Sequence, residues 1–223
     1  MDHNIRVSEL RMNVTRLLFL FLVCSFTAQA LAIEEPDFVV VEMLGKVEIR
    51  LYDGYWVAQT RVQGEFSEAG GRAFEPLFDY LSGANSAGTK ISMTAPVQQR
   101  TDADSHVVNF VMPQDAVASG LPKPAGEAVT LAQIPAQLVA ALRYSGGWQE
   151  KRYRKFEQQL RKQLDTSDFS VCGAATWARY NPPFWPGFMR RNEVLIPVAK
   201  GRCETPSEDQ PGDVSKRLHV VDG

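Results

Sequence analysis

Apolar and polar residues alternate along several short stretches of the chain, the pattern of β-strands that bury one face. The first stretch covers residues 47–62 and is interrupted by Asp53 and Gly54, a dipeptide typical of a tight hairpin. Two more strands are predicted at 90–98 and 106–112. The first half of the chain therefore predicts two pairs of strands.

A short helix is predicted between these pairs. Its apolar residues recur at spacings of three and four, which places them on one helical face: Phe74, Leu77, Phe78 and Leu81. Pro76 is tolerated only in a first turn, so the pattern predicts a start near residue 73 and a loop over 68–71. Gly83 is expected to end the helix.

The same order of elements returns in the second half. A helix over 148–164 carries many charged residues outside and an apolar inner face made of Tyr153, Phe156, Leu160 and Leu164. The strands around it are predicted at 129–134, 138–144, 174–180 and 193–199. Each half thus reads strand–strand–helix–strand–strand, with residues 114–128 as the linker.

This internal repeat predicts an α+β fold. Two such halves can pair their strands into a distorted antiparallel β-barrel of two pseudo-repeats, with two helices packed outside. The length of the chain fits one domain, which we expect over residues 33–200. The polar residues 201–223, which include Pro206 and Pro211, are expected to form a disordered tail.

The first 32 residues have the pattern of a secretory signal peptide. Arg11 and Arg16 precede an uncharged apolar run at 17–28, and small residues follow at the cleavage position. Met12 is an alternative start of translation. The run is shorter than the roughly 20 residues of a membrane helix, so export to the periplasm or beyond is predicted, with a retained anchor as the alternative.

The charge balance argues against two classes of partner. Lys and Arg number 24 and Asp and Glu 26, a formal net charge of −2. This lacks the basic excess of nucleic-acid-binding proteins. Nor is there a basic amphipathic stretch for a membrane surface, so we expect no nucleic acid and no stable membrane anchor after cleavage.

Two cysteines, Cys172 and Cys203, follow the predicted leader, which itself contains Cys24. Export would bring them to an oxidising compartment, where a disulfide could join the ends of the last strand pair. Two unpaired thiols are the alternative. The sequence contains no Cys-x-x-Cys motif, so redox catalysis and a zinc site are not predicted.

Motifs of common enzymes are missing from the sequence. It contains no Gly-x-Ser-x-Gly, no His-Glu-x-x-His and no glycine-rich phosphate loop. Ser86 lies after a helix rather than on a strand–turn–helix elbow. The sequence therefore predicts a non-catalytic binding protein.

Several short motifs, in this order, resemble the SOUL haem-binding protein family. They are YLSGAN at 80–85, KISMTAPV at 90–97, YNPPF at 180–184 and RRNEV at 190–194. The resemblance implies a distorted antiparallel barrel that binds a tetrapyrrole, chiefly haem, in a shallow apolar groove near the first helix. Together with the predicted signal peptide, it suggests an exported protein that sequesters or carries haem. Binding of another apolar molecule or a protein partner is the alternative, and a tetrapyrrole-modifying enzyme is a weaker one.

The resemblance also points to the residues of the groove. Apolar residues of the first helix lie against the ligand in the family, which implies Phe74 and Phe78, whereas Leu77 and Leu81 are interpreted as core. A second wall is predicted at Trp185, between Phe184 and Phe188, because a loop broken by prolines cannot be a regular strand.

Haem propionates require cations. Arg72, at the predicted helix start, is the first candidate, since a helix N-terminus also favours anions. Arg190 and Arg191 are alternatives, and an ion pair with Glu193 is their other expected role.

No iron ligand is assigned. The histidines after the leader are His106, interpreted as a solvated turn residue, and His219 in the tail. Met93 and Met112 offer thioethers, although methionine on a strand is more typical of core packing.

Overall fold

The computed structural model describes residues 33–203, so the predicted signal peptide and the tail after residue 203 lie outside the described residues. Ten strands and three α-helices make an α+β fold, as predicted. The strands are β1 (Phe38–Leu44), β2 (Val47–Tyr52), β3 (Tyr55–Gln63), β4 (Val97–Asp102), β5 (Ser105–Val111), β6 (Thr130–Ile134), β7 (Gln137–Ser145), β8 (Phe169–Val171), β9 (Thr176–Arg179) and β10 (Arg191–Lys200). The helices are α1 (Phe66–Ser82), α2 (Gln114–Ala118) and α3 (Glu150–Leu164).

The strands form one antiparallel sheet in the order β1-β2-β7-β10-β9-β4-β5-β3-β6, with β8 paired to β10. Apart from β1, this order reads the same from either end when β2, β3, β4 and β5 are exchanged with β6, β7, β9 and β10. The predicted pair of repeats is therefore confirmed, and its pseudo-twofold axis runs between β4 and β9. The sheet curls into a half-barrel whose edge strands, β1 and β6, do not pair with each other.

The predicted hairpin at Asp53 and Gly54 is wrong. β2 pairs with β1 and β7, whereas β3 pairs with β5 and β6, so the strands on either side of this turn are not partners. The N–H of Asp53 donates to the carbonyl of Asp37 at 3.2 Å. Each repeat lends one strand to the other, which a local turn signal does not reveal.

Helix α1 begins at Phe66, earlier than predicted, and includes the expected loop at 68–71. Pro76 therefore lies in its interior. The buried stripe continues upstream through Phe66, Ala69 and Ala73, and its packing against β3 and β5 outweighs the hydrogen bond that proline removes. Gly83 ends the helix as predicted, with φ of 118°.

Residues 90–96 do not form the predicted strand, which begins only at Val97. Their polar groups bond to three different segments. The N–H of Ile91 donates to Leu81 O and that of Ala95 to Glu34 O, each at 2.8 Å, and the hydroxyl of Thr94 donates to Val111 O at 2.7 Å. These bonds replace a ladder, and the Ala95–Pro96 peptide bond is cis.

Both long helices cover the same face of the sheet. Tyr153, Leu160 and Leu164 of α3 are buried and Phe156 is partly buried against them, as predicted. The predicted linker contains α2. Cys172 and Cys203 form a disulfide with an S–S distance of 2.07 Å, which ties the end of β8 to the residues after β10.

Candidate functional site

Two phenylalanines of α1 lie outside the core. Phe74 is 42% exposed and Phe78 is 43% exposed, whereas Leu77 and Leu81 are buried. The two rings stack with centroids 5.6 Å apart and an interplanar angle of 13°, and Phe74 also packs edge-on against Phe110 at 5.6 Å. Together they offer a flat apolar surface to solvent.

Gly70 precedes Phe74 by four residues, so Gly70, Phe74 and Phe78 share one face of the helix, called here the α1 face. The guanidinium of Arg179, at the end of β9, fills the space beside this glycine. A Cβ atom at Gly70 would lie 2.8 Å from both Nη atoms. The aromatic pair is thus continued by a cation.

Arg179 has no ionic partner among residues 33–203. Its Nη2 donates to Oε1 of Gln99 at 2.7 Å, and its Nε is buried with no hydrogen-bond acceptor. Burial lowers the pKa of Arg179, although the nearby Tyr153 and Tyr144 oppose this. Since a guanidinium stays protonated in proteins, Arg179 is a positive charge available to an anion.

A second arginine lies beyond Trp148. The Cζ atoms of Arg179 and Arg190 are 5.4 and 4.7 Å from the centroid of the Trp148 ring. The Nε of Arg190 donates to the carbonyl of Trp185 at 2.8 Å, and its Nη2 donates to the carbonyl of Pro183. Arg190 therefore supports the loop between β9 and β10 instead of pairing with Glu193.

The loop of residues 182–190, called here the aromatic loop, carries the predicted second wall. Trp185 is 39% exposed, and Phe184 and Phe188 are about twice as exposed. A 3₁₀ turn at Gly187–Met189 shapes the loop. The loop packs closely on the backbone before α3, since a Cβ at Gly187 would lie 3.6 Å from Gly147 N. Trp148, Arg179 and Arg190 connect this loop to the α1 face.

Arg72 is placed differently from what the sequence predicted. It lies in the second turn of α1, because the helix starts at Phe66. It pairs with Glu68, and its Nη1 donates to Gln63 O at 2.9 Å. The helix dipole acts chiefly on the first turn, so Arg72 does not share an anion site with the helix N-terminus.

Neither His106 nor Met112 is open to a ligand. His106 is buried in β5, with Nδ1 at 3.3 Å from Thr101 Oγ1 and Nε2 at 3.0 Å from Gly64 O, so its interpretation as a solvated turn residue is wrong. Met112 is core, Met93 is exposed, and His219 lies outside the described residues. Within residues 33–203, no three His, Cys, Asp or Glu residues cluster as a metal site.

The face of the sheet opposite the helices contains a buried ionic cluster that the sequence did not reveal. Arg50 Nη1 donates to Glu193 Oε2 at 2.6 Å, and its Nη2 donates to Oε1 at 3.2 Å. Tyr180 and Arg191 donate to the same carboxylate. Burial would raise the pKa of Glu193, but Arg50 and Arg191 hold it below its usual range. Glu193 is thus a fixed anion rather than an acid catalyst.

None of the helices in the described part of the chain is long and apolar enough to span a bilayer. The α1 face and the aromatic loop expose aromatic rings and Met189, and the partly buried guanidinium groups of Arg179 and Arg190 lie between them. Such a surface suits a flat apolar ligand that carries negative charge. Arg179 was missed in the sequence, although it shares a strand face with buried Trp177, the one signal that would have turned it towards the helices.

The profile of the SOUL heme-binding protein family matches residues 33–197. Among solved structures, the EcmrR C-terminal domain has a TM-score of 0.55 at 13% identity, over 71% of this chain and 99% of that one. EcmrR bound to DNA gives 0.55 at 10% identity, over 88% and 70%. A conserved protein from Listeria innocua gives 0.53 at 9% identity, over 69% and 92%. These structures share the fold alone, and no curated protein matches the sequence significantly.

Proposed function

Because this chain belongs to the SOUL heme-binding protein family, we propose that it binds haem or a related tetrapyrrole on the α1 face. The observation that carries the proposal is the stacked, exposed pair of Phe74 and Phe78 beside Arg179. This arginine is partly buried and has no ionic partner among the described residues. A tetrapyrrole is flat and apolar, and its carboxylates need cations.

The residues present fit such a ligand. The macrocycle would lie on Phe74 and Phe78, and Arg179 and Arg190 would receive the propionates. Trp185 and the aromatic loop form the second wall of this arrangement. Prolines limit the freedom of the loop, so little ordering is required on binding.

Both ring nitrogens of His106 are engaged with Thr101 and Gly64. The proposed binding therefore relies on stacking and charge, without an axial histidine from residues 33–203. Haem, when bound, supplies the iron, whereas this surface supplies stacking and charge. Side chains of the α1 face offer no paired acid and base and no nucleophile. Carriage or sequestration, rather than turnover, is therefore the proposed role.

Export is part of the same proposal and rests on the apolar run after Arg16 and on the small residues before Ile33. An exported protein would meet haem in the periplasm or outside the cell. The N-terminal residue of protein recovered from its host tests this part.

The binding test uses purified protein covering residues 33–223 and follows the Soret band during titration with hemin. The wild-type protein should give a saturable shift in the micromolar range. Phe78→Asp should abolish it, since a carboxylate would face the ring, while cooperative unfolding stays intact because Phe78 is half-exposed. Hemin that produces no saturable shift in the wild-type protein would reject the proposal.

The cations are tested with paired ligands and variants. Arg179→Gln should weaken hemin binding about tenfold, the scale of one charge-assisted hydrogen bond, and Arg72→Gln, which removes a cation already paired with Glu68, should leave it unchanged. Protoporphyrin dimethyl ester, which lacks free carboxylates, should bind the wild-type protein and Arg179→Gln alike. Equal losses for both ligands would show that Arg179 only supports the fold.

A further inference from the structure

A recess of about 260 Å³ opens on the face of the sheet opposite α1 and α3. It lies over the middle strands, next to the ionic cluster of Arg50 and Glu193. Six of its lining residues determine its chemistry: Tyr52, Tyr55, Gln98, Arg100, Asn109 and Leu195.

The segment before β1, together with Phe38 at the start of β1, covers the neighbouring part of this face but not the recess. Glu34 accepts a bond from Ala95 N, and Glu35 pairs with Arg191 at 2.8 Å. Phe38 packs on Tyr52 with ring centroids 5.0 Å apart. The chain thus closes over the ionic cluster and leaves the recess beside it open.

One wall of the recess holds a polar group without a partner. Asn109 is 5% exposed, and its Oδ1 accepts no hydrogen bond from any described residue. Its cross-strand neighbour Gln98 is 4% exposed and donates to the hydroxyl of Tyr55 at 3.1 Å. A buried carbonyl oxygen of this kind favours a ligand that brings an N–H or O–H donor.

Arg100 supplies a positive charge. Its side chain is half-buried in the recess and forms no ion pair with a residue of the described range 33–203. Asp102, two residues along the same strand, is paired with Arg61 at 2.7 Å. The guanidinium of Arg100 therefore favours a carboxylate.

The remaining walls are aromatic and aliphatic. The rings of Tyr52 and Tyr55 lie 6.3 Å apart, and Val139, Leu195 and Pro197 complete the apolar lining. Burial raises the pKa of Tyr52 to about 12, although Arg50 opposes this, and burial also raises the pKa of Tyr55. Both phenols are neutral at physiological pH, so they add no negative charge against an anion.

We propose that this recess binds a small carboxylic acid with an apolar body and a hydrogen-bond donor. Arg100 pairs with its carboxylate, and Asn109 accepts from its donor. Sites for drug-sized ligands enclose roughly 300–1,000 Å³, so a recess of this volume takes a smaller molecule and excludes a tetrapyrrole. The site is independent of the α1 face, from which the sheet separates it.

Three probes of matched size test the chemistry: 4-hydroxybenzoate, benzoate without the donor, and 4-hydroxybenzyl alcohol without the charge. Binding is followed by chemical-shift changes of Tyr52, Tyr55 and Arg100 in the protein covering residues 33–223. The hydroxybenzoate should saturate at submillimolar concentration, with benzoate several-fold weaker and the alcohol about tenfold weaker. The highest probe concentration is 10 mM, about tenfold above the expected submillimolar dissociation constant. If no probe gives a saturable change up to this concentration, the proposal is overturned.

Variants assign the roles. Arg100→Gln should reduce the affinity for hydroxybenzoate to the value that the wild-type protein has for the alcohol. Asn109→Asp should weaken hydroxybenzoate binding more than Arg100→Gln does, because the new carboxylate repels that of the ligand. Arg143→Gln is the matched control, because Arg143 lies on the same sheet face but is exposed and outside the recess.

Thermal unfolding of each ligand-free variant checks that the fold persists. Unchanged affinity in folded Arg100→Gln contradicts the assignment. Saturating hemin should leave hydroxybenzoate binding unaltered, and competition between them would place both ligands on one surface and overturn the proposal of a separate site.

Discussion

Glu193 is a carboxylate with no exposed surface, and its neighbours explain how its charge is tolerated. Arg50 binds it through two hydrogen bonds, and Tyr180 and Arg191 donate to it as well. A buried ion pair offsets the loss of hydration only when such additional bonds are present. The cluster therefore joins β2, β10, the residue that follows β9 and the segment before β1 at one point.

Removing this charge should be costly at neutral pH. We expect Glu193→Gln to lower the free energy of unfolding by about 3–5 kcal/mol, because the buried Arg50 would lose its buried counter-ion and keep only Glu48, which is partly exposed. Urea unfolding at pH 7 measures this. Glu48→Gln is the control: Glu48 also pairs with Arg50, at 2.7 Å, but is one-third exposed, so its loss should cost less than about 1 kcal/mol.

The pH dependence has a defined sign. The pKa of Glu193 is lowered by folding, so its contribution is fully present above the unfolded value of about 4.3 and is lost as pH falls through the folded value. The stability difference between wild type and Glu193→Gln should be constant from pH 7 to about pH 5 and shrink below about pH 4. A difference that persists undiminished into that acid range would contradict this explanation.

Single residues also set the limit of what the sequence could predict. Apolar spacing correctly placed Phe74, Leu77, Phe78 and Leu81 on one side of α1, yet a stripe this wide has a core-facing centre and an open margin. Only the position of β5 decides that the leucines are buried and the phenylalanines exposed. Arg179 depended on the same non-local information, since its role follows from a glycine more than a hundred residues earlier.

At the scale of elements, the paired glycines of α1 are costly for a helix, and only one has a structural reason. Gly70 leaves room for the guanidinium of Arg179, whereas a Cβ at Gly71 would meet nothing within 4 Å. Replacing a helical glycine by alanine typically adds up to about 1 kcal/mol. The two positions therefore form a matched pair.

Gly71→Ala should raise the free energy of unfolding by up to about 1 kcal/mol and leave hemin affinity unchanged. Gly70→Ala should displace the Arg179 side chain, because its Cβ would lie 2.8 Å from two guanidinium nitrogens, and weaken hemin binding several-fold in a folded protein. Thermal unfolding and Soret titrations measure both effects. Equal hemin affinity in the two variants would show that Arg179 does not contribute to hemin binding.

Some element boundaries could not be predicted from the sequence, because backbone groups there form hydrogen bonds outside the expected strand pairing. Residues 90–96 alternate like a strand, but they bond to α1, β5 and the segment before β1. The β1 strand was not predicted, because its side chains are mostly exposed and its run of three valines has no period of two. The predicted start of α1 is too late because the packing of its buried stripe, which the sequence does not show, accommodates Pro76 in the helix interior.

At the scale of the whole molecule, the repeat was visible in the order of elements, but the pairing of strands was not. β2 crosses to β7, β6 crosses to β3, and β4 meets β9 at the axis. These pairings join residues far apart in the chain, and local patterns carry no information about them. The same exchange brings β9 of the second repeat against α1 of the first, and so places Arg179 beside Gly70.

The disulfide joins Cys172 to Cys203, 31 positions later, and the loop that it closes includes β9, the aromatic loop and β10. Cross-linking a loop of this length restricts the unfolded chain and should contribute about 3–4 kcal/mol to the free energy of unfolding. It requires an oxidising compartment, which the proposed export provides. The bond and the leader are therefore linked expectations about one molecule.

Intact mass spectrometry of protein recovered from its host tests both at once. The mass should match residues 33–223 and rise on reduction by two hydrogens, and reduction should lower the urea midpoint in step with a loss of about 3–4 kcal/mol. In the Cys172→Ser/Cys203→Ser double variant, reductant should have no effect, and its stability should equal that of the reduced wild type. If the double variant is as stable as the oxidised protein, the disulfide adds nothing to the free energy of unfolding beyond the pairing of β8 with β10.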